Sequence, residues 1–506
     1  QYRVMLSRYR GKTKCSSCKG SRLRADADYV KINNKSISEI NRMSISDVTI
    51  FFKSLKLNSE EKKIAKRIID EINSRLSYLK DVGLGYLTME RASNSLSGGE
   101  SQRINLATSI GSSLVGSMYI LDEPSIGLHP RDSLRLIEVL KKLRDVGNSV
   151  IVVEHDEEMM KSADMIIDIG PYAGRHGGEV VFKGNHSKLV KASKSLTAKY
   201  LTGKYKIEVP KVRRKAKDFI VIEQAYLHNL QNITVKIPLN QICVVTGVSG
   251  SGKSTLVGEI LYTFLERFFL TGLVKASHCN DIKMNFDLVS GVEYINQNPI
   301  GKSSRSNPIT YTKGYDDIRQ LFASQKHAKA KGFKAGYFSF NVDGGRCEKC
   351  QGEGQLTISM QFMADVHLKC DECDGKRFKE EVLEVKFKGK DISQVLEMTV
   401  EESLDFFNED NTLCKKIKSK VFALSEVGLE YVQLGQASNT LSGGEAQRIK
   451  LASFLSQNKS KQKKLFIFDE PTTGLHFHDV KKLIKALQDL VEMGHHVVII
   501  EHHMDI

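Results

Sequence analysis

No apolar run in this 506-residue chain approaches the roughly 18 residues that would suggest a helical membrane span, and no signal-peptide pattern opens it. These absences argue against an integral membrane or secreted protein, and the cytoplasm is the expected location. No constellation of residues suited to cutting nucleic acid stands out either. The most informative absence is of another kind. The pentapeptide Leu-Ser-Gly-Gly-Glu occurs twice, at residues 96–100 and 441–445, each time followed by Gln-Arg and Leu-Ala, yet only one phosphate-binding loop accompanies the two copies. The chain reads as a duplicated nucleotide-binding protein with one piece missing. Its start at Gln1 and its end at Ile506, just past a motif, lead to the expectation of a fragment whose first residue cuts into the first copy.

The single loop is Gly247-Val248-Ser249-Gly250-Ser251-Gly252-Lys253-Ser254, followed by Thr255, a full match to G-x-x-x-x-G-K-S. It is entered by the apolar run Ile242–Val245 and left by an apolar stretch over 256–264. Strand, glycine loop and helix are the context that gives the motif meaning. The glycines let backbone N–H groups converge on an anion at a helix N-terminus, Lys253 reaches the β and γ phosphates, and Ser254 can ligate magnesium.

Aligning the repeat by hand extends it well beyond the pentapeptide. Cys15-x-x-Cys18 parallels Cys370-x-x-Cys373, and Phe51-Phe52 parallels Phe406-Phe407, both at an offset of 355. The offset falls to 345 at Val82-Gly83-Leu84 against Val427-Gly428-Leu429, so the first copy carries about ten extra residues in between, a length change of the kind loops tolerate. Asp122-Glu123-Pro124 and Asp469-Glu470-Pro471 then match at 347, and Glu154-His155 pairs with Glu501-His502. Each acid pair ends an apolar strand, with one carboxylate suited to hold magnesium and the other to act on an attacking water. Each histidine follows an apolar strand and a glutamate; duplication argues that His155 and His502 are more than satisfied strand-end residues.

Nine cysteines in a chain without secretory features point to metal ligands or thiols. Cys347-x2-Cys350-x19-Cys370-x2-Cys373 has the spacing of a closed four-thiolate zinc site, and the strand-like residues from Gln355 onward suggest a hairpin between the knuckles. Cys15 and Cys18 form a half site whose partner pair would lie upstream, while Cys243, Cys279 and Cys414 read as plain thiols. The net charge of +15 favours a polyanionic partner. Lys302, Arg305, Lys313 and Arg319, the lysines over 326–334 and the interleaved Tyr311, Tyr315, Phe333 and Tyr337 are candidates for sequence-independent phosphate contact, with Lys376 and Arg377 beside the second knuckle. The competing reading of that stretch is a solvated charged helix over 316–331.

These motifs in this order resemble the ATP-binding cassette superfamily and, within it, the UvrA family of bacterial excinuclease damage-recognition subunits. The resemblance covers essentially the whole chain and rests on Asp122-Glu-Pro-Ser-Ile-Gly-Leu-His129, Val152-Val-Glu-His-Asp156, Thr246-Gly-Val-Ser-Gly-Ser-Gly-Lys-Ser-Thr255, Gln297-Asn-Pro-Ile-Gly with Arg305-Ser-Asn-Pro308, and Gly344-Gly-Arg-Cys-Glu-Lys-Cys350. It implies two cassettes in one chain, each ATP held between the phosphate loop of one and the signature of the other. One site would take its phosphate loop from Gly247 to Thr255, with Gln297 sensing the γ phosphate, Asp469 supporting Mg2+, Glu470 orienting water, and His502 stabilising the transferring phosphate. Ser97, Gly98 and Gly99 would close over this nucleotide. The second would use Asp122, Glu123, His155, Ser442, Gly443 and Gly444, but with its loop absent it is expected to hold no ATP. The family further implies ATP turnover as a switch on affinity for damaged double-stranded DNA, a homodimer, loading of UvrB, and incision left to UvrC.

The expected fold is α/β: tandem cassette modules with helical signature subdomains and an inserted zinc module near 340–380. The first module spans 1–203, a basic linker 204–217, and the second module 218–506, with helical periodicity over 60–79 and 134–143. Two alternatives fit the same motifs: a UvrA-like paralogue in drug self-protection, and a non-repair tandem cassette ATPase that binds nucleic acid. With its core strand and helix missing, the first module is expected to be marginally stable.

Overall fold

The computed structural model describes residues 15–93, 96, 98–111, 115–272, 275–301, 303, 305–358, 366–456, 462–503 and 506. Its contacts divide the chain at Ser162/Ala163 into two compact units, the first of which also takes residues 248–250. The repeat boundary near 203 and this contact boundary are different things. Residues 163–203, which belong to the first copy by sequence, pack as part of the second unit.

In the first unit, side chains start the helices where the sequence changes register. Asn58 caps Ser59–Asp81 in a reciprocal capping box with Glu61, and His129 caps Pro130–Asp145, which has proline in its first turn. These two helices match the periodicity read over 60–79 and 134–143. The helix Pro130–Asp145 buries Leu136, Ile137, Val139, Leu140 and Leu143 on one stripe. It accompanies a parallel pair of strands, Met118–Asp122 and Ser149–Val153, in which Asp122 stands opposite Val153.

One expectation is corrected here. The extra residues of the first copy lengthen a helix rather than a loop. Ser59–Asp81 has 23 residues where its counterpart Thr412–Glu426 has 15, and their C-terminal residues coincide at the offset of 345. The added N-terminal turns are rich in Glu and Lys and bury no residue.

The second unit holds the more complete core. Four parallel strands run in the order Val292–Ile295, Leu465–Asp469, His496–Ile500, Ile242–Val245. Residues 465–468 and 496–500 are buried throughout, as expected for parallel strands covered on both faces. A separate antiparallel sheet orders Asp281–Lys283, Phe219–Ala225 and Ile233–Pro238. Residues 204–217 carry no helix or strand.

The signature region is helical. Gly314–Ala323, Thr412–Glu426 and Gly443–Leu455 share a core with Phe338, Phe340 and Phe378. The four cysteines project from this region on two knuckles, and between them Gln355–Ile358 pairs antiparallel with Val366–Lys369, the hairpin that the spacing suggested.

Candidate nucleotide site and metal centre

The phosphate loop leaves the end of strand Ile242–Val245, and its backbone explains its glycines. Gly247, Gly250 and Gly252 have φ of +150°, +75° and +102°, a region closed to most side-chain-bearing residues. Lys253 turns back so that Nζ donates to the carbonyl of Gly247 at 2.9 Å. Burial pushes its ammonium below the usual lysine range, opposed by Glu470, Asp469 and Glu501. The helix that follows is π-wound over Thr255–Tyr262 before becoming α over Thr263–Thr271, a winding that often marks functional sites.

The acid pair stands at the end of the central strand. Burial pushes the Asp469 carboxyl up, opposed by the Tyr294 hydroxyl and Lys253, with Glu501 adding to the rise. Glu470 follows with φ +48°, and its N–H donates to the carbonyl of Ile500 at 2.9 Å. This turn out of the strand directs consecutive carboxylates differently. His502 is buried with Nε2 3.8 Å from Glu470 Oε1. Gln297 follows strand Val292–Ile295, and its Nε2 donates to Thr473 Oγ1 at 2.9 Å.

The first unit repeats this geometry. Glu123 has φ +46° and donates its N–H to Val153 at 2.9 Å, and His155 Nε2 lies 4.0 Å from Glu123 Oε1. Burial, Asp122 and Glu154 all push the Glu123 carboxyl up. Gln102 donates to the Asp122 carbonyl at 2.7 Å as Gln447 donates to that of Asp469 at 3.0 Å.

The glutamates before the histidines, which the repeat pairs but to which the motifs give no role, hold the backbone. Glu501 accepts from the N–H groups of Thr472, His502 and His503 at 3.0, 2.6 and 3.1 Å, and Glu154 accepts from Ser125 and His155 at 2.8 and 3.0 Å. They tie each histidine to the turn after the acids. Their recurrence in both copies was the available signal.

The signature begins a helix in both copies. Ser442 caps Gly443–Leu455 by accepting from the Glu445 N–H, and Glu445 returns a bond to the Ser442 N–H. Tyr431 donates to the other Glu445 oxygen at 2.7 Å, as Tyr86 donates to Glu100 at 2.6 Å. A Cβ on Gly444 would lie 2.8 Å from the Thr473 carbonyl oxygen, and one on Gly99 2.6 Å from that of Ile126, so these glycines permit a close approach to backbone. Gly98 opens the first signature helix, and Ser97 lies outside the described residues.

Cys347, Cys350, Cys370 and Cys373 are all buried, with their four sulfurs within 4.8 Å of one another. The separations Cys347–Cys370 and Cys350–Cys373 are 4.0 and 3.6 Å. A tetrahedral ion with Zn–S bonds of about 2.3 Å would space its sulfurs at about 3.8 Å, so the donor set fits zinc. Burial pushes the Cys347 and Cys373 thiols up. A bound cation favours the thiolates instead. Cys15 is exposed and Cys18 half-buried; the Cys18 carbonyl accepts from the Ser21 N–H as that of Cys373 does from the Lys376 N–H. The Ser254 hydroxyl and the Asp469 carboxylate are oxygen donors, the type that a hard cation such as magnesium takes.

The candidate DNA contacts separate. Lys313 and Lys376 are exposed. Arg305 lies 3.5 Å from Glu353, and Arg319 pairs with Asp316 while leaning on the Tyr315 ring. Arg377 is turned inward: Nη2 donates to the Gly435 carbonyl at 3.1 Å and the guanidinium covers the Phe340 ring, which removes it from the DNA candidates. Arg22, its repeat equivalent, likewise donates to the carbonyl of Glu90 at 3.1 Å. Tyr315 and Phe333 are core residues rather than stacking platforms. Lys302 lies outside the described residues.

A phosphate loop, a strand ending in two acids, a following histidine and a capped signature helix define an ATP-binding cassette ATPase. No family model matches the chain. It is 51% identical over 505 residues to UvrABC system protein A of Staphylococcus epidermidis, covering 100% of this chain and 53% of that protein. It is 53% identical over 495 residues to UvrABC system protein A of Borreliella burgdorferi, covering 97% of this chain and 51% of that one. The crystal structure of UvrA2 from Deinococcus radiodurans superposes with a TM-score of 0.89 at 37% identity, over 99% of this chain and 63% of that one. The chain belongs to the UvrA family, and spans about half the length of the curated relatives it matches.

Proposed function

We propose that this chain is the ATP-hydrolysing, DNA-binding part of a damage-recognition subunit in bacterial nucleotide excision repair. The observation that carries the reading is a cassette site, assembled around Lys253, Asp469, Glu470 and His502, in a module that also holds a buried four-thiolate cluster. In this reading the phosphate loop from Gly247 to Thr255 binds the ATP phosphates, and Gln297 and Asp469 attend the metal side. Mg2+, when bound, supplies charge neutralisation of the phosphates. Glu470 takes up or orients the attacking water, and His502 faces the same space. Ser97, Gly98 and Gly99 contribute to ATP binding as the signature of the first copy. Asp122, Glu123, His155, Ser442, Gly443 and Gly444 belong to a second site of the same kind.

Turnover then acts as a switch on affinity for DNA, because hydrolysis changes which arrangement is favoured. Lesions are read through deformability and backbone geometry rather than base identity. UvrB, recruited by a homodimer, is the partner that receives the lesion, and UvrC acts later. A second reading is a UvrA-like paralogue, to which the likeness to UvrA2 lends support.

The test is binding to matched damaged and undamaged duplexes, with and without ATP, over a salt series. ATP-dependent lesion preference followed by UvrB transfer supports repair. Lesion preference without transfer supports the paralogue. Equal and purely salt-driven binding would overturn damage recognition.

A further inference from the structure

Tyr294 belongs to none of the nucleotide motifs, yet it touches the acid that faces the metal side. It lies on strand Val292–Ile295, in register with Ile467 on the neighbouring strand that ends at Asp469. Its hydroxyl donates to Asp469 Oδ2 at 2.7 Å. The ring leans on Tyr262 with centroids 5.0 Å apart, and a Cβ at position 258 would lie 3.3 Å from the Tyr294 oxygen, so glycine there leaves room for the hydroxyl. Gly258 and Tyr262 both belong to the π-wound stretch Thr255–Tyr262 that follows the phosphate loop. One side chain therefore joins three things: the start of the phosphate-loop helix, the edge of the parallel sheet and the acid at the end of its central strand.

A strand-end carboxylate can turn about its last bond. A donor fixed on one oxygen sets the plane of the group and leaves the other oxygen for a cation; partners of this kind tune metal ligands in proteins generally. The geometry points to Tyr294 as a positioning residue that holds Asp469 in the orientation in which the divalent cation accompanying the nucleotide is bound. This deepens the ATP-site reading above and rests on it.

The experiment titrates Mn2+ into the intact protein saturated with a non-hydrolysable ATP analogue, followed by electron paramagnetic resonance. Tyr294→Phe is expected to weaken Mn2+ binding about 10-fold. Nucleotide affinity in EDTA and the unfolding temperature should stay as in the parent. para-Aminophenylalanine at 294, which keeps an N–H donor on the same ring position, should restore much of the loss. Should the phenylalanine variant not fold, Gly258→Ala, which crowds the hydroxyl without removing it, carries the same expectation in smaller measure. Unchanged Mn2+ affinity overturns the inference, and so does a parallel fall in metal-free nucleotide affinity, which would mark a structural role. Failure of the underlying ATP reading would look different, because the parent protein itself would then bind no nucleotide.

Discussion

Residue by residue, the site separates groups that face chemistry from groups that hold them. Glu470 leaves its strand at φ +48° with its carboxylate 3.8 Å from His502, whereas Glu501 spends its oxygens on three backbone N–H groups. Glu470→Gln is therefore expected to lower ATP turnover by about 10²-fold or more while nucleotide binding persists, checked by phosphate release against nucleotide titration. Glu501→Gln should instead loosen the turn and impair both. Arg377→Ala makes the opposite point about charge. Its guanidinium serves the Gly435 carbonyl and the Phe340 ring. Its loss should cost about 1–3 kcal/mol of stability in thermal or denaturant unfolding, with no change in the salt dependence of DNA binding.

Among the elements, the zinc hairpin and the two acid strands differ most in what supports them. Strands Gln355–Ile358 and Val366–Lys369 are mostly exposed or half-buried, and the four buried thiols at their base form their own small cluster. A two-stranded hairpin alone is marginal in water, so a metal held by the four thiols would supply much of its order. Cys350→Ser is expected to lose one equivalent of zinc in a chromogenic release assay and to make the hairpin protease-sensitive.

The acid strands show the same sequence logic with different burial. Residues 465–468 are buried between flanking strands, but in the first unit Met118 and Ile120 are 64% and 68% exposed and Ile151 and Val153 47% and 51%. Two strands cannot cover one another's faces as four can. Hydrogen exchange should run faster in 118–122 and 149–153 than in 465–469 and 496–500, and equal protection would refute a link between this exposure and local stability.

At the scale of the whole molecule, the charge of +15 becomes a measurable slope. If Lys313 and Lys376 neutralise phosphates, replacing each with alanine should reduce the slope of log K against log salt by about 1 without altering lesion preference. An unchanged slope would assign the DNA surface elsewhere.

The sequence alone was enough to mark the motifs. Phosphate loop, signature, acid pairs and paired cysteine knuckles depend on residues close along the chain, so spacing reveals them. The duplication doubled that signal, and the helices over 60–79 and 134–143 followed from periodicity. What spacing could not reveal was decided by packing across the chain. It placed Tyr294 on Asp469 from a distant strand, turned Arg377 from a DNA candidate into a backbone clamp, and made Tyr315 and Phe333 core residues. It also lengthened a helix where a loop was expected, and attached residues 163–203 to the second unit. The physical reason is the same in each case: burial and hydrogen bonding are settled by the neighbours the fold supplies, and those lie far away in sequence.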